Sequence, residues 1–287
     1  MSFSEHFPNE PENDLVRVLM NDIPSRMKLT IITPSFNQGR YIEQTICSVL
    51  AQDHQNVEHI IIDGGSTDST IDVLERYPHL QWISEKDRGQ ADALNKGLTR
   101  ATGDIIGWIN SDDFYESNIL GSVVEHFQDP DVMWVIGNLT YQFEESNERF
   151  PGRSPVVTFD RLVNDPDIVR QPSTFFRKAF LEQAGGWNPA FFMVMDFDLW
   201  MRLSKLSSPR MVSENWAYFR LHAFQKTSSA NTLRQMKELT AILKREQVPW
   251  IKIWNLRMRK RLASIKAHLK RMLLKVRLLS PKYSSRP

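Results

Sequence analysis

The segment GDIIGWINSDDF, residues 103–114, is the strongest indicator of architecture in this chain. Its apolar run is short, follows a glycine and ends in a polar cluster, which is typical of a buried β-strand. Two adjacent carboxylates, Asp112 and Asp113, stand at its end. Ligands of open α/β sheets bind at the carboxyl ends of strands, so this pair is placed to hold Mg²⁺ or Mn²⁺. The alternative is that Ser111 or Asp112 caps a helix beginning near Glu116.

The residues before this segment alternate between strand and helix patterns. In chain order the predicted elements are strand 28–37, helix 41–50, strand 57–62, helix 71–74, strand 80–83 and helix 91–99. Such alternation predicts an α/β fold in which helices cover a parallel sheet. Three of the strands end in acidic turns, at Asp63, at Asp87 and at the 112–113 pair, and these turns would line one crevice.

A nucleotide suits such a crevice, although the usual glycine-rich phosphate loops are missing. The sequence contains neither G-x-G-x-x-G after the first strand nor G-x-x-x-x-G-K-[ST] anywhere. A nucleoside diphosphate held beside carboxylates requires a cation to neutralise its charge. The acidic pair at 112–113 supplies a place for that cation.

The order of these motifs resembles family 2 glycosyltransferases, the large inverting group with the GT-A fold. The matching segments span roughly 28–229 and are TIITPSFNQGRYIEQTICSVLAQ, IIIDGGSTDSTIDVL, ISEKDRGQADALNKGLTRATGDIIGWINSDD, QPSTFFRK, GGWNP, DFDLWMRL and FRLHAFQKTS. Each segment alone is a weak signal, but seven of them in the family's order indicate membership. The resemblance implies one mostly parallel central sheet flanked by helices, followed here by a C-terminal amphipathic helical extension.

The resemblance also implies donor-binding roles in the first half. Pro34 and Phe36 would flank the base, and Asp63 would contact the base or the ribose. Gly64 stands where the commoner family pattern has a second aspartate, so the choice of base stays open. The residues that would border the donor sugar and its phosphates are Asp87, Arg88, Asp92 and Asn95.

The remaining roles concern the metal and the chemistry. By the same resemblance Asp112 would meet the ribose or donor sugar, and Asp113 would bind Mn²⁺ or Mg²⁺. Inverting transfer needs a base that takes the proton of the acceptor hydroxyl, and Asp196 matches the family's base. His222 would approach the metal or the diphosphate, and Lys226 would meet the diphosphate as a point charge.

Other interpretations of the helix that begins near Asp196 are simpler. In MDFDLWMRL, residues 195–203, either Asp196 or Asp198 could serve only as an N-cap. Acids in the first turn also complement the helix dipole. We expect Asp196 to be the base and Asp198 to be structural.

The net charge of +2 conceals a strong asymmetry. Residues 244–287 hold fourteen Lys or Arg against the single acid Glu246, a net +13, so the rest of the chain carries −11. Apolar residues recur every three or four positions from Trp250 to Leu279, which predicts one or two amphipathic helices. We favour an anionic membrane surface as the partner of this tail. Docking on protein is the alternative, and nucleic acid is disfavoured because no nucleic-acid module is visible.

The predicted organisation has three parts: a flexible leader (1–27), a glycosyltransferase domain (28–229, with a donor half 28–115 and an acceptor half 116–229) and a basic helical tail (230–287). The single cysteine, Cys47, excludes an intrachain disulfide and fits a reducing compartment. The sequence contains no run of about 18 uncharged apolar residues, so we expect no membrane-spanning helix. We therefore expect a cytoplasmic protein that lies peripherally on the cytoplasmic face of the membrane.

Together these features predict an inverting, metal-dependent glycosyltransferase. It would move one sugar from a UDP-, GDP- or dTDP-sugar to a hydroxyl of a glycan or lipid-linked acceptor, and the absence of Q-x-x-R-W argues against processive synthesis. Two alternatives stay open. A nucleotidyltransferase would need a basic glycine-rich loop that residues 33–40 lack. A nucleotide-sugar-binding protein without turnover would have no use for Asp113 and Asp196.

Overall fold

The computed structural model describes residues 27–223, 225, 226 and 232–262. Its first half alternates strand and helix as predicted. The elements are β1 (Leu29–Ser35), α1 (Ile42–Leu50), β2 (Val57–Asp63), α2 (Thr70–Leu74), β3 (Gln81–Ser84), α3 (Gln90–Arg100) and β4 (Ile105–Trp108). Helices cover both faces of these strands, since Ile60 and Ile62 pack with α3 whereas Ile61 packs with α1 and α2. Burial on both faces explains why the strands are continuous apolar runs.

The second half is less regular. Its elements are β5 (Phe114–Tyr115), α4 (Leu120–His126), β6 (Trp134–Phe143), β7 (Arg149–Gly152), α5 (Phe159–Asn164), a 3₁₀ turn (Gln171–Ser173), β8 (Thr174–Arg177), α6 (Lys178–Gln183), α7 (Met195–Leu206), β9 (Arg210–Leu221), α8 (Thr232–Arg245) and α9 (250–262). Pro249 lies directly before α9. Residues 1–26 of the predicted leader and 263–287 of the predicted tail lie outside the described residues, and the predicted domain boundaries stay a prediction.

The nine strands of the described residues form one sheet in the order β3-β2-β1-β4-β8-β6-β9-β5, with β7 beside β6. β1 to β4 pair in parallel, so their carboxyl ends share one edge. β8 joins β4 antiparallel, and β6 continues the sheet antiparallel to β8 and parallel to β9. The predicted α/β class is confirmed, and each antiparallel pair includes at least one strand of the second half.

The helix predicted near Glu116 begins later, at Leu120. The short strand β5 comes first and pairs antiparallel with β9, where Phe114 lies opposite Tyr218 and the two rings stack at 4.6 Å. Ser111 and Asp112 are therefore not the caps of that helix. This pairing brings the end of β9 beside the acidic pair that follows β4.

A buried ion-pair cluster fixes α7 in place. The Asp198 carboxylate has no exposed surface and contacts the guanidinium groups of Arg202 at 2.8 Å and Arg245 at 2.5 Å. A buried carboxylate is tolerated only when it is paired and hydrogen-bonded. These contacts join α7 to α8 and agree with the structural role expected of Asp198.

Within the described ranges, no helix is both long and apolar enough to cross a bilayer.

Candidate functional site

A cleft of about 990 Å³ opens at the carboxyl ends of β1 to β4. Both halves of the chain contribute to its walls. The predicted site residues that line it are Pro34, Phe36, Asp87, Asp112, Asp113, Asp196 and Lys226. A cavity of this size with several convergent polar groups is typical of a small-molecule site.

The part of the cleft wall beside the ends of β1 and β2 carries an exposed aromatic ring. Phe36, just after β1, is 58% exposed, and Gly64 follows β2. A Cβ atom on Gly64 would lie 2.8 Å from Asp87 Oδ2 and 3.4 Å from Phe36 Cδ2. Gly64 therefore allows the Asp87 carboxylate and the ring to approach the same backbone. An aromatic face beside a carboxylate can stack a base and accept its N–H groups.

Asp63 is not among the residues that line the cleft. Its side chain is fully buried and holds the turn after β2 together. Oδ2 accepts hydrogen bonds from the Gly65 and Ser66 amides at 3.0 and 2.8 Å and from Ser84 Oγ at 2.7 Å. Oδ1 accepts one from Ser66 Oγ at 2.5 Å. These four bonds give Asp63 a structural function and leave little capacity for a nucleotide.

Three other residues predicted to border the donor also lie outside the cleft lining. Arg88 is 79% exposed at its side chain and pairs with Asp92 at 2.8 Å, a surface contact of small energy. Asn95 donates from Nδ2 to the Trp187 carbonyl at 2.6 Å and accepts the Trp187 amide at 3.0 Å. Asn95 thus attaches α3 to the segment that precedes α7. None of these three contacts involves the cleft.

The site's most informative pair joins the end of β4 to the end of β9. Asp112 Oδ2 lies 3.0 Å from His222 Nε2. The His222 side chain is buried, and the Tyr41 ring packs on it at 4.6 Å between centroids. Its Nδ1 finds no hydrogen-bond partner among the described residues. Nε2 is therefore the ring nitrogen that meets a polar group at the cleft.

Asp113 is directed toward the protein. It is 1% exposed, and its Oδ1 accepts the Arg220 amide at 3.0 Å while Oδ2 accepts Asn110 Nδ2 at 3.3 Å. Burial and the adjacent Asp112 carboxylate raise the pKa of Asp113 well above its ordinary value. Arg220 also donates from Nε to the Asp112 carbonyl at 2.8 Å. The acid predicted to bind metal thus holds the end of β9 beside β4.

A divalent cation at the cleft would need oxygen or nitrogen ligands from the protein. In the part of the chain that the structure describes, no cluster of three or more His, Cys, Asp or Glu side chains could hold a metal ion. The Asp112 and His222 pair offers one carboxylate oxygen and one imidazole nitrogen, which suit Mn²⁺. Two adjacent ligands of an octahedral ion at about 2.1 Å are separated by roughly 3.0 Å. The observed separation of 3.0 Å is that of an ordinary hydrogen bond, and two neighbouring ligands of one ion would lie equally far apart.

Asp196 and Lys226, both from the second half of the chain, line the cleft and interact electrostatically. Asp196 is half-buried in the first turn of α7, and burial raises its pKa; Lys226 opposes that increase and Asp167 adds to it. Burial lowers the pKa of Lys226, while the charges of Asp196 and Glu238 counteract this. A carboxylate with a raised pKa in a cleft is a candidate general base.

A hydrogen-bonded chain connects Lys226 to the acidic pair through two residues that the sequence did not reveal. Lys226 Nζ donates to Gln90 Oε1 at 3.1 Å, and Gln90 Nε2 donates to Asn110 Oδ1 at 2.7 Å. Asn110 reaches Asp113 and also donates to Gln171 Oε1 at 2.9 Å. The sequence around Gln90 and Asn110 could have identified them as site residues, because Gln90 follows an acidic turn and Asn110 directly precedes Ser-Asp-Asp.

Comparison with known proteins is consistent with this geometry. The sequence model of the family described as Glycosyl transferase family 2 matches residues 30–205. An uncharacterized glycosyltransferase of Nostoc, alr2836, is 28% identical over 226 residues, which is 74% of this chain and 70% of that protein. The Bacillus subtilis protein TuaG, whose name assigns it provisionally to teichuronic acid biosynthesis, is 40% identical over 103 residues, or 34% of this chain and 40% of that protein.

Solved structures share the fold. TarS of S. aureus in complex with UDP superposes with a TM-score of 0.60 at 18% identity and covers 76% of this chain. The mannosyltransferase PcManGT of Pyrobaculum calidifontis, in complex with GDP-Man and Mn²⁺, gives 0.57 at 21% identity and covers 77%. This chain spans 65% and 64% of the lengths of those proteins. The predicted GT-A architecture is confirmed by these likenesses.

Proposed function

Since this chain belongs to glycosyl transferase family 2, we propose that it transfers one glycosyl residue from a nucleotide-sugar to a hydroxyl acceptor, with inversion at the anomeric carbon. One observation carries the proposal. The same cleft is lined by Asp112, which contacts His222, by the cation of Lys226 and by the half-buried carboxylate of Asp196, whose pKa is raised. These are the groups that a donor diphosphate and an acceptor hydroxyl would require.

The donor's nucleoside would lie in the part of the cleft beside Phe36 and Asp87. Phe36 would stack on the base, and Asp87 Oδ2 would accept an N–H of the base or a hydroxyl of the ribose. Solved relatives of the same fold hold UDP, UDP-GlcNAc or GDP-Man, which supports a nucleotide-sugar donor for this chain without selecting its base.

A divalent cation, Mn²⁺ or Mg²⁺, would be held by Asp112 and His222, with the donor diphosphate and water as the other ligands. Such an ion would act as a Lewis acid toward the leaving nucleoside diphosphate. Asp113, the metal ligand expected from the sequence, would instead position the end of β9 through the Arg220 amide. Lys226 would add a second positive charge close to the diphosphate.

Asp196 would act as the base of a single displacement. Its carboxylate would take the proton of the acceptor hydroxyl as that oxygen forms a bond to the anomeric carbon. The bond between the anomeric carbon and the diphosphate oxygen would break at the same time, and the nucleoside diphosphate would leave with the electron pair. The acceptor would be a glycan or lipid-linked hydroxyl of surface polysaccharide assembly, which the likeness to TuaG supports.

The test is a panel of nucleotide-sugars incubated with the full chain and Mn²⁺, with release of nucleoside diphosphate as the readout. Slow hydrolytic release from one donor, lost in the Asp196→Asn variant, is expected. Release of pyrophosphate would indicate a nucleotidyltransferase. Donor binding by calorimetry without any release, in the presence of acceptor extracts, would indicate a protein without turnover.

A further inference from the structure

Helix α9 has two apolar faces. Ile253 and Leu256 are buried and belong to the main core cluster. Trp250 and Trp254, one turn apart on another side of the helix, are 73% and 50% exposed. Leu262, two turns beyond Trp254, is also exposed. The helix is thus attached to the domain through one face and presents a second apolar face to solvent.

Polar contacts fix the helix against the acceptor half. Arg259 donates to the Asn164 carbonyl at 2.7 Å, and Lys260 pairs with Asp167 at 2.7 Å. Asp167 lies in a loop whose residues Pro166, Asp167, Val169 and Arg170 line the cleft. The outward face of α9 is therefore fixed on the part of the molecule that borders the candidate acceptor region.

The positive charge of α9 and of the sequence after it favours an anionic partner. From 250 to 287 the sequence contains twelve Lys or Arg and no Asp or Glu. Within α9 itself, Arg257 and Arg261 are exposed close to the two tryptophans in sequence. A second copy of the chain would bring two such cationic helices together, which is unfavourable. Each basic residue that lies close to an anionic surface strengthens binding to that surface.

Tryptophan at the edge of an apolar face indicates a bilayer interface. The indole ring has an apolar body and one N–H donor, and it is enriched at the level of lipid headgroups. We propose that the outward face of α9, formed by Trp250, Trp254 and Leu262 and flanked by Arg257 and Arg261, binds the surface of an anionic lipid bilayer. The cleft's acceptor side then lies next to the membrane, where a lipid-linked acceptor would be presented.

The arrangement of tryptophans makes the proposal directly measurable. Of the eight in the chain, Trp108, Trp134, Trp187, Trp200 and Trp216 are buried and Trp82 is half-buried. Fluorescence changes on membrane binding will therefore report on Trp250 and Trp254. With vesicles of phosphatidylglycerol and phosphatidylcholine, the full chain should sediment, its emission should shift to the blue, and brominated acyl chains should quench it. Vesicles of phosphatidylcholine alone should bind far more weakly.

Two variants and a matched control complete the experiment. Trp250→Ala with Trp254→Ala should weaken vesicle binding by roughly tenfold or more and abolish quenching. Arg257→Gln with Arg261→Gln should weaken binding and reduce its salt dependence. Phe143→Ala with Phe150→Ala removes two exposed rings from β6 and β7 and should leave binding unchanged.

Three results would overturn the proposal. They are failure of the full chain to bind anionic vesicles, full binding by the double tryptophan variant, and a solution dimer that becomes monomeric in that variant. Vesicle binding is measured without donor or acceptor, so it can fail while nucleotide release succeeds. If the chain bound vesicles but released no nucleotide, the membrane-binding surface would be supported and the proposed transfer activity would be rejected.

Discussion

Asp112 Oδ2 and His222 Nε2 lie 3.0 Å apart although 110 residues separate them in the chain. Two contacts set this distance: the pairing of Phe114 with Tyr218 between β5 and β9, and the hydrogen bond from the Arg220 amide to Asp113. Under the proposed function this pair would hold the divalent cation, and it leads to the first prediction.

Asp112→Asn and His222→Gln should each weaken Mn²⁺-dependent binding of UDP or GDP by about tenfold or more, because each removes one ligand of a two-ligand protein site. Isothermal calorimetry with and without Mn²⁺ measures the effect. His79→Gln, an exposed histidine elsewhere, is the control. Unchanged Mn²⁺ dependence in both site variants would refute the assignment.

The Asp113→Asn variant tests whether Asp113 is a metal ligand or a residue that positions the end of β9. Both carboxyl oxygens already accept hydrogen bonds within the protein, from the Arg220 amide and from Asn110 Nδ2. An asparagine has only one oxygen, so its N–H₂ group would face one of these two donors, and we expect a loss of stability of about 1–3 kcal/mol. Metal affinity should fall less than in Asp112→Asn. Urea unfolding measures the loss of stability, and calorimetry on the same preparations measures the metal affinity. If Asp113→Asn weakened metal binding more than Asp112→Asn did, Asp113 would be the metal ligand.

Asp196→Asn should lower kcat by about 10²–10⁴-fold, because the amide cannot accept the acceptor's proton. Donor binding should persist, as calorimetry with the nucleoside diphosphate will show. Asp198→Asn is the matched control on the same helix. It breaks the buried contacts with Arg202 and Arg245 and should reduce stability by about 3–5 kcal/mol. Full activity of Asp196→Asn would exclude it as the base.

The activity should depend on pH through Asp196. The base works as a carboxylate, and burial raises its pKa, so kcat/KM should fall on the acid side at a pH above the ordinary carboxyl range. Lys226 lowers that pKa and Asp167 raises it. Lys226→Met should therefore shift the acid limb to higher pH, and Asp167→Asn should shift it to lower pH. If the acid limb of the pH profile stayed at the same pH in both variants, Asp196 would not be the group that titrates.

Gly64→Ala tests the part of the cleft beside Phe36 and Asp87. The added Cβ would lie 2.8 Å from Asp87 Oδ2, so the carboxylate must move away from the position it occupies beside Phe36. We expect the donor KM to rise by about tenfold while kcat changes little, the pattern of lost uniform binding. Steady-state kinetics measure both constants. A lowered kcat with an unchanged donor KM would contradict a role of this part of the cleft in donor binding.

Stability at low pH should depend on Glu58, far from the cleft. Burial alone would raise its pKa, but hydrogen bonds from Lys28, Thr30 and Thr102 lower it to about 2. A folded-state pKa below the unfolded value stabilises the protein above the unfolded pKa, and this contribution disappears as pH falls from about 5 toward 2. Glu58→Gln should cost about 1–3 kcal/mol at neutral pH. In urea unfolding the difference from wild type should shrink across that interval, and a constant difference would disprove the linkage.

The local pattern of the chain was sufficient for its class and for much of the sheet. Burial on both faces requires continuous apolar strands, and the helices between them show the spacing of one buried face, so β1 to β4 and α3 could be recognised without coordinates. The acidic strand ends also identified the edge where the cleft opens. Asp87, Asp112 and Asp196 were found this way or by family resemblance, and all three line the cleft.

Side-chain direction was decided only by the folded chain. Asp63 and Asp87 follow neighbouring strands, yet Asp63 closes its own turn while Asp87 lines the cleft. Asn95 contacts Trp187, 92 residues away, and His222 meets Asp112 across 110 residues. Sequence periodicity reports which face of an element is buried, since that depends on neighbours three or four residues apart. Which polar groups meet depends on strand pairing between distant segments, and only the tertiary structure specifies it.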